Sequence, residues 1–288
     1  MLTMRCCLFT LPFAFLASFA AMAADGDLDP TLISDADYPG YSINSGLFVS
    51  PLSGNKLVKT LRADDGRLYL VGVVADAQNN PRLSIIKIGI DGQRDYGFGD
   101  GGIRTYALPC GVSQPADAAI DPLGRIWVAY SKCADARVYR FTADGELDIS
   151  LLGGGFLSVD FPQGDPTSET AAKIRLMPDN GILVSAGIAT NGQNPALALA
   201  RYDVNGNAVS GFGVLGITTM PLPLSLNQIH RIHPIVNGRV VIDGTMGTSA
   251  RSFVVRVLDN GIPDGGFGNK APGLSTAELD NLIEPPFA

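Results

Sequence analysis

This 288-residue sequence is poor in the side chains that most often carry chemistry: it has two histidines, four cysteines and one tryptophan, and only 17% of it is charged. A zinc site takes roughly four ligands, and neither a second cysteine pair nor suitably spaced histidines accompanies Cys110 and Cys133, so no metal is expected, and no cofactor either. No cluster of lysine and arginine occurs and the formal net charge is −7. A field of that sign repels phosphate backbones and anionic lipid, which argues against a nucleic-acid partner. No serine stands in a nucleophile-elbow context, and no helical period competes with the strand patterns described below.

What the sequence has in quantity is glycine, 34 residues, and proline, 19, spread along a chain that is 46% hydrophobic. Many short strands joined by tight turns need this composition, and a disordered chain would not have it. Residues 1–23 read separately as an export leader. Arg5 supplies the positive start, Leu8 to Ala21 is apolar, and Ala21-Met22-Ala23 places small residues where a signal peptidase cuts. Export to the periplasm or beyond follows, with no membrane span after cleavage and a single domain over 24–288. Loss of Arg5 changes the net charge from −7 to −8.

The remaining chain repeats. A turn glycine followed by an apolar strand recurs at Gly66, Gly124, Gly181 and Gly238, at intervals of 58, 57 and 57 residues. Six positions later stand Gly72, Tyr130, Gly187 and Gly244, so three units carry a glycine inside the strand, where a neighbouring backbone can approach closely. Each unit continues with a strand bearing one basic residue and a turn glycine five positions on: Lys87 with Gly92, Arg140 with Gly145, Arg201 with Gly206, Arg256 with Gly261. Phe98-Gly99, Phe212-Gly213 and Phe267-Gly268 follow in three units, and Leu152-Gly153 in the second. Four strands per unit result, with units near 56–108, 115–161, 170–221 and 228–280. Favoured hairpin dipeptides such as Asp91-Gly92 and Asn205-Gly206 mark their ends.

The succession of turn glycine and apolar strand, then Leu199-Ala200-Arg201-Tyr202-Asp203-Val204-Asn205-Gly206, then Phe212-Gly213, resembles the delta-60 repeat of bacterial exported proteins. That resemblance implies a propeller-like fold and carries no general activity. A partial unit at 25–50, where Gly26-Asp27-Leu28-Asp29 matches Gly145-Glu146-Leu147-Asp148, predicts a strand near Gly46–Ser50 that closes the ring. The expected fold is therefore an all-β propeller of four-stranded blades, four in number with five as the alternative, closed by an N-terminal strand. An open β-solenoid of the same period is the competing architecture.

Cys110 and Cys133 remain after leader removal and flank one hairpin, so a structural disulfide is expected. The loop it closes makes it worth about 3 kcal/mol. Short Asp/Asn-Gly turns are expected on one face and longer, amide-rich connections on the other, where Asn79, Asn80, Asp135, Asn191, Gln193 and Asn194 are the candidate ligand-binding residues. The recurring Lys87, Arg140, Arg201 and Arg256 could hold an anion as a symmetric set, but structural ion pairs are the simpler reading. His230 and His233, three apart on a strand, are expected on opposite faces. Asp25, Asp27 and Asp29 mimic a calcium loop that fails at Pro30 and Ala36. The glycine runs near Gly101 and Gly154 are turns. Function read from this sequence is a non-enzymatic binding or scaffolding module for a protein or carbohydrate. The alternative is a hydrolase or lyase with convergent carboxylates in an axial funnel.

Overall fold

The computed structural model describes residues 56–107, 115–130, 136–161, 170–190, 193–268 and 273–277. The leader, the partial unit at 25–50 with its closing strand, Cys110 and Cys133 lie outside the described residues. Among those described, the fold is all-β. Strands β1 (Lys56–Arg62), β2 (Leu68–Ala75), β3 (Pro81–Ile88) and β4 (Ile103–Ala107) form one sheet in that order. A second contains β5 (Asp117–Ile120), β6 (Ile126–Tyr130), β7 (Ala136–Phe141) and β8 (Phe156–Val159). The third is built from β9 (Thr170–Leu176), β10 (Ile182–Thr190), β11 (Gln193–Tyr202) and β12 (Ile217–Pro221). The fourth takes β13 (Leu226–Pro234), β14 (Val240–Met246), β15 (Arg251–Val257) and β16 (Leu274–Ala277). Each four-stranded antiparallel sheet comes from one contiguous segment, as propeller blades do. First strands meet in sequence, β1 with β5, β5 with β9 and β9 with β13, which places them along the axis.

Antiparallel order sends the β1–β2 and β3–β4 connections to one end of a blade and the β2–β3 connections to the other. The Asp-Gly turns sit at the first end. So do the longest intra-blade connections, such as 89–102, whereas the β2–β3 connection is the short turn 76–80. This reverses the expectation that the longer connections face away from the Asp-Gly turns. The reason is that each β3–β4 segment folds back on its own strand, with Asp95 N donating to Lys87 O at 2.9 Å before β4 begins.

Apolar contact holds the blades together. Leu61, Val71, Ile85, Phe98, Ile126 and Val128 fill the junction of blades one and two. Trp127, Val138, Leu157, Ile174, Ile182 and Val184 fill the next, and Leu183, Leu199, Phe212, Ile229, Ile242 and Phe253 the third. Each fully buried large side chain contributes about 1.5–3 kcal/mol, so these junctions outweigh any surface ion pair. Among the described residues no apolar cluster joins blade four to blade one.

Two recurrences of the sequence meet at these junctions. Phe98 of blade one covers Gly145 in the turn of blade two so closely that a Cβ there would lie 2.5 Å from Phe98 Cζ. Leu151 covers Gly206 in the same way at 2.8 Å, and Phe212 covers Gly261 at 3.1 Å. The large apolar residue of one unit and the turn glycine of the next therefore form one contact, which is why both recur. In blade two the nearest covering residue is Leu151, fully buried, with the more exposed Leu152 beside it at 3.1 Å. The turn decides this: Phe98, Leu151, Phe212 and Phe267 each donate their backbone N–H to the carbonyl three residues earlier.

Close approach also explains the glycines inside β2 and β14. A Cβ on Gly72 would lie 2.5 Å from Lys56 O, and one on Gly244 would lie 2.3 Å from Gln228 O. Both positions face bulged stretches of the first strand, between Leu57 and Lys59 and between Leu226 and Gln228.

Candidate functional site

Among the described residues, the amide residues singled out from the sequence come from separate blades. Asn79 and Asn80 occupy the β2–β3 turn, and both serve the turn itself. Asn79 adopts a left-handed conformation at φ 62°, while Asn80 donates its backbone N–H to Asp76 Oδ1 at 2.8 Å and its side chain reaches Asp76 Oδ2 at 3.4 Å. The backbone bond from Asn80 holds the Asp76 carboxyl below the usual carboxylate range. Gln193 and Asn194 open β11. Asp135 and Asn191 lie outside the described residues.

The recurring cations take structural positions. Lys87 pairs with Asp95 at 3.4 Å, Arg140 with Asp148 at 2.6 Å and Arg256 with Asp264 at 2.8 Å, each partner eight residues onward. Those aspartates also close turns, accepting N–H groups from Gly97, Ser150 and Gly266. In the third unit Val209 replaces the aspartate, and Arg201 turns to Asp179 instead, at 2.8 Å. Arg140 further donates to Val204 O of the next blade at 2.6 Å, and Arg201 to Asp259 O at 3.3 Å. Both acceptors stand two residues before a turn glycine. In blade one the Tyr69 hydroxyl takes that role on Ala143 O at 3.2 Å, while Lys87 lies over the Tyr69 and Phe98 rings. Burial opposes the charge of Asp148, but bonds from Ser150 and Arg140 with the Arg140 charge outweigh it and hold this carboxyl low.

A different set of side chains, most of them polar, converges on the axis. Seven positions before the four turn glycines stand Lys59, Asp117, Ile174 and Arg231, one on each first strand. They share a cavity of about 510 Å³ with Val58, Lys173, Arg175, His230, Ile232 and His233, so all four blades contribute to its wall. Lys59 and Arg175 also line an adjoining axial cavity of about 340 Å³ with Thr60 and Arg62. Asp117 is nearly buried and fully used. Its Oδ1 accepts Lys59 Nζ at 2.7 Å and its Oδ2 accepts the backbone N–H of Ile174 at 3.1 Å. Lys173, Arg175 and Arg231 form no ion pair with any described residue.

The histidines depart from strict alternation. The register of β13 shifts between Ile229 and Arg231, and that bulge brings both rings to one side of the blade. His233 Nε2 lies 3.0 Å from Asp243 Oδ1 and His230 Nδ1 lies 3.9 Å from Asp243 Oδ2. Both therefore line the cavity, where opposite faces were expected. Among the described residues no group of three or more histidine, cysteine or acidic side chains could hold a metal ion. The hydrolase alternative calls for convergent carboxylates; the acidic groups described at this cavity, Asp117 and Asp243, are each engaged with a basic partner.

No family model matches the chain, and no curated protein matches it. Solved structures do. A Dyadobacter fermentans protein of unknown function matches at 14% identity and TM-score 0.47, over 73% of this chain and 71% of its own. Drosophila Semaphorin 2a matches at 15% identity and TM-score 0.42, over 80% of this chain but only 43% of its own. A Bacillus subtilis levansucrase variant matches at 10% identity and TM-score 0.34, over 77% of this chain and 69% of its own. Likeness at this level brings no activity, substrate or partner to the chain.

The axial set was missed in the sequence because its members differ in type from blade to blade. The one available signal was position: counting back from each turn glycine reaches Lys59, Asp117, Ile174 and Arg231.

Proposed function

We propose that this chain is an exported binding module whose ligand enters the axial cavity, not the amide-rich turns. The observation that carries this reading is the convergence of polar side chains from all four first strands on one space of about 510 Å³. That is within the range of small-molecule sites, and a rigid sheet scaffold positions such groups well. Of the turn residues, by contrast, Asn80 is bonded within its own loop and Asn79 holds the left-handed position of that turn. The leader-like residues 1–23 support export, and Cys110 with Cys133 would form a disulfide in that compartment. Repeat spacing supports membership of the delta-60 class.

The test is a thermal-shift screen of the full chain against neutral and charged sugars and organic acids. Thr60→Trp adds bulk at an exposed position beside the axis without changing charge. A stabilising compound whose effect disappears in Thr60→Trp, but persists in Asn80→Ala, is the expected result. A shift abolished by Asn80→Ala and untouched by Thr60→Trp would place recognition on the turns and overturn the proposal.

A further inference from the structure

The chain as a whole is acidic, at −7, yet the wall of its axial cavity is cationic. Six basic or imidazole side chains line it: Lys59, Lys173, Arg175, His230, Arg231 and His233. Against them stands Asp117, whose two oxygens are occupied by Lys59 Nζ and Ile174 N, and Asp243, which lies against the two histidines. That leaves Lys173, Arg175 and Arg231 without an acidic partner among the described residues. The recurring arginines of the third strands differ in this respect: Arg140, Arg201 and Arg256 are each paired at 2.6–2.8 Å.

Resting on the axial reading above, we propose that the cavity binds a small multivalent oxyanion, one bearing two or more carboxylate or phosphate groups. Two guanidinium groups and an ammonium group from adjacent blades suit such a ligand. Arginine offers paired N–H donors to a planar carboxylate or a phosphate edge, and lysine adds a point charge. Arg175 belongs to β9 and Arg231 to β13, strands in contact, so one ligand can address both. Ile174 and Ile232 supply the apolar part of the wall. Neutral sugars would leave the three charges unanswered.

The test is calorimetric titration of the full chain with citrate, pyrophosphate and maltose, at low and high salt. Expected is binding of citrate or pyrophosphate that weakens with salt. Arg175→Gln and Arg231→Gln should each weaken it by about tenfold or more, while Lys56→Gln, exposed on β1 outside the cavity, leaves it unchanged. Preference between citrate and pyrophosphate distinguishes a carboxylate from a phosphate ligand. Thermal melts establish that the variants are folded, and Arg231→Lys, which keeps the charge but not the fork, should give an intermediate loss. Failure of both anions to bind, or binding indifferent to Arg175→Gln and Arg231→Gln, would overturn the inference. Maltose bound in a Thr60→Trp-sensitive manner, with no anion bound, would overturn it while leaving the axial site standing. A ligand sensitive only to Asn80→Ala would remove both.

Discussion

Lys59 and Asp117 occupy equivalent positions on the first strands of neighbouring blades, and their side chains meet at 2.7 Å, Nζ to Oδ1. The two ends of this bond are unlike: the Asp117 side chain is 5% exposed and the Lys59 side chain 38%. Because Asp117 also accepts the Ile174 N–H, one carboxylate links β1, β5 and β9. Asp117→Ala should therefore lower stability by about 2–3 kcal/mol, since it leaves a buried N–H without a partner. Lys59→Met should cost less than this, because the Ile174 N–H still answers Asp117, although the buried carboxylate loses its charge partner. Urea midpoints measure both, and equal losses would contradict this account.

Arg140 is the most heavily committed cation of the repeat. It bonds Asp148, Ser150 and Val204 O and lies over the Trp127 ring at 5.0 Å, with its side chain only 2% exposed. Arg140→Lys cannot reproduce the fork, and a loss of about 3 kcal/mol is expected in chemical unfolding. The corresponding change at Arg256, whose side chain is 25% exposed, should cost less.

Acid should destabilise the fold through the turn aspartates. Asp148 and Asp203 are opposed by burial but are held ionised by hydrogen bonds, from Ser150 and Arg140 in one case and from Asn207 in the other. Their folded carboxyls titrate below the ordinary value of 3.8. The sign follows from linkage: this stabilisation is complete above the unfolded value and is lost as pH falls through the lower folded one. Urea midpoints should decline across that acid window, and Asp148→Asn should make the decline shallower.

The blade-to-blade contact of Phe212 with Gly261 predicts an asymmetric tolerance. Leu151 fills the same role in blade two, so Phe212→Leu should cost under about 1.5 kcal/mol. Phe212→Ala should cost about 3–5 kcal/mol, because the junction cannot close over the void. Thermal unfolding of the two variants checks the ratio.

The axial cations should carry a signature even without ligand. Among the described residues Lys173, Arg175 and Arg231 line one space without acidic partners, so they repel one another. Arg231→Gln is then expected to melt at the same temperature as the parent or slightly above it, most visibly at low salt. A clear drop in melting temperature would mean that Arg231 supports the fold.

Local chemistry made much of this architecture legible. Turn residues such as Asp91-Gly92 select their conformation over four or five positions, and alternation marks strands, so four strands per unit could be read from the repeat. The same locality limits what can be read. Leu152-Gly153 mimics the Phe-Gly pair of the other units, yet the turn bond from Leu151 N to Asp148 O buries Leu151 instead. His230 and His233 obey alternation on paper, and one bulge cancels it.

By itself, then, the sequence determined the blades, because hairpins are closed by residues near one another in the chain. Only the tertiary structure decided what the blades enclose. Lys59, Asp117, Arg175 and Arg231 come from four units more than 50 residues apart, are not of one residue type, and become neighbours only when packed sheets bring their first strands to a common axis. Which charges are cancelled there, and which are left for a ligand, depends on distances across that axis that no single repeat contains.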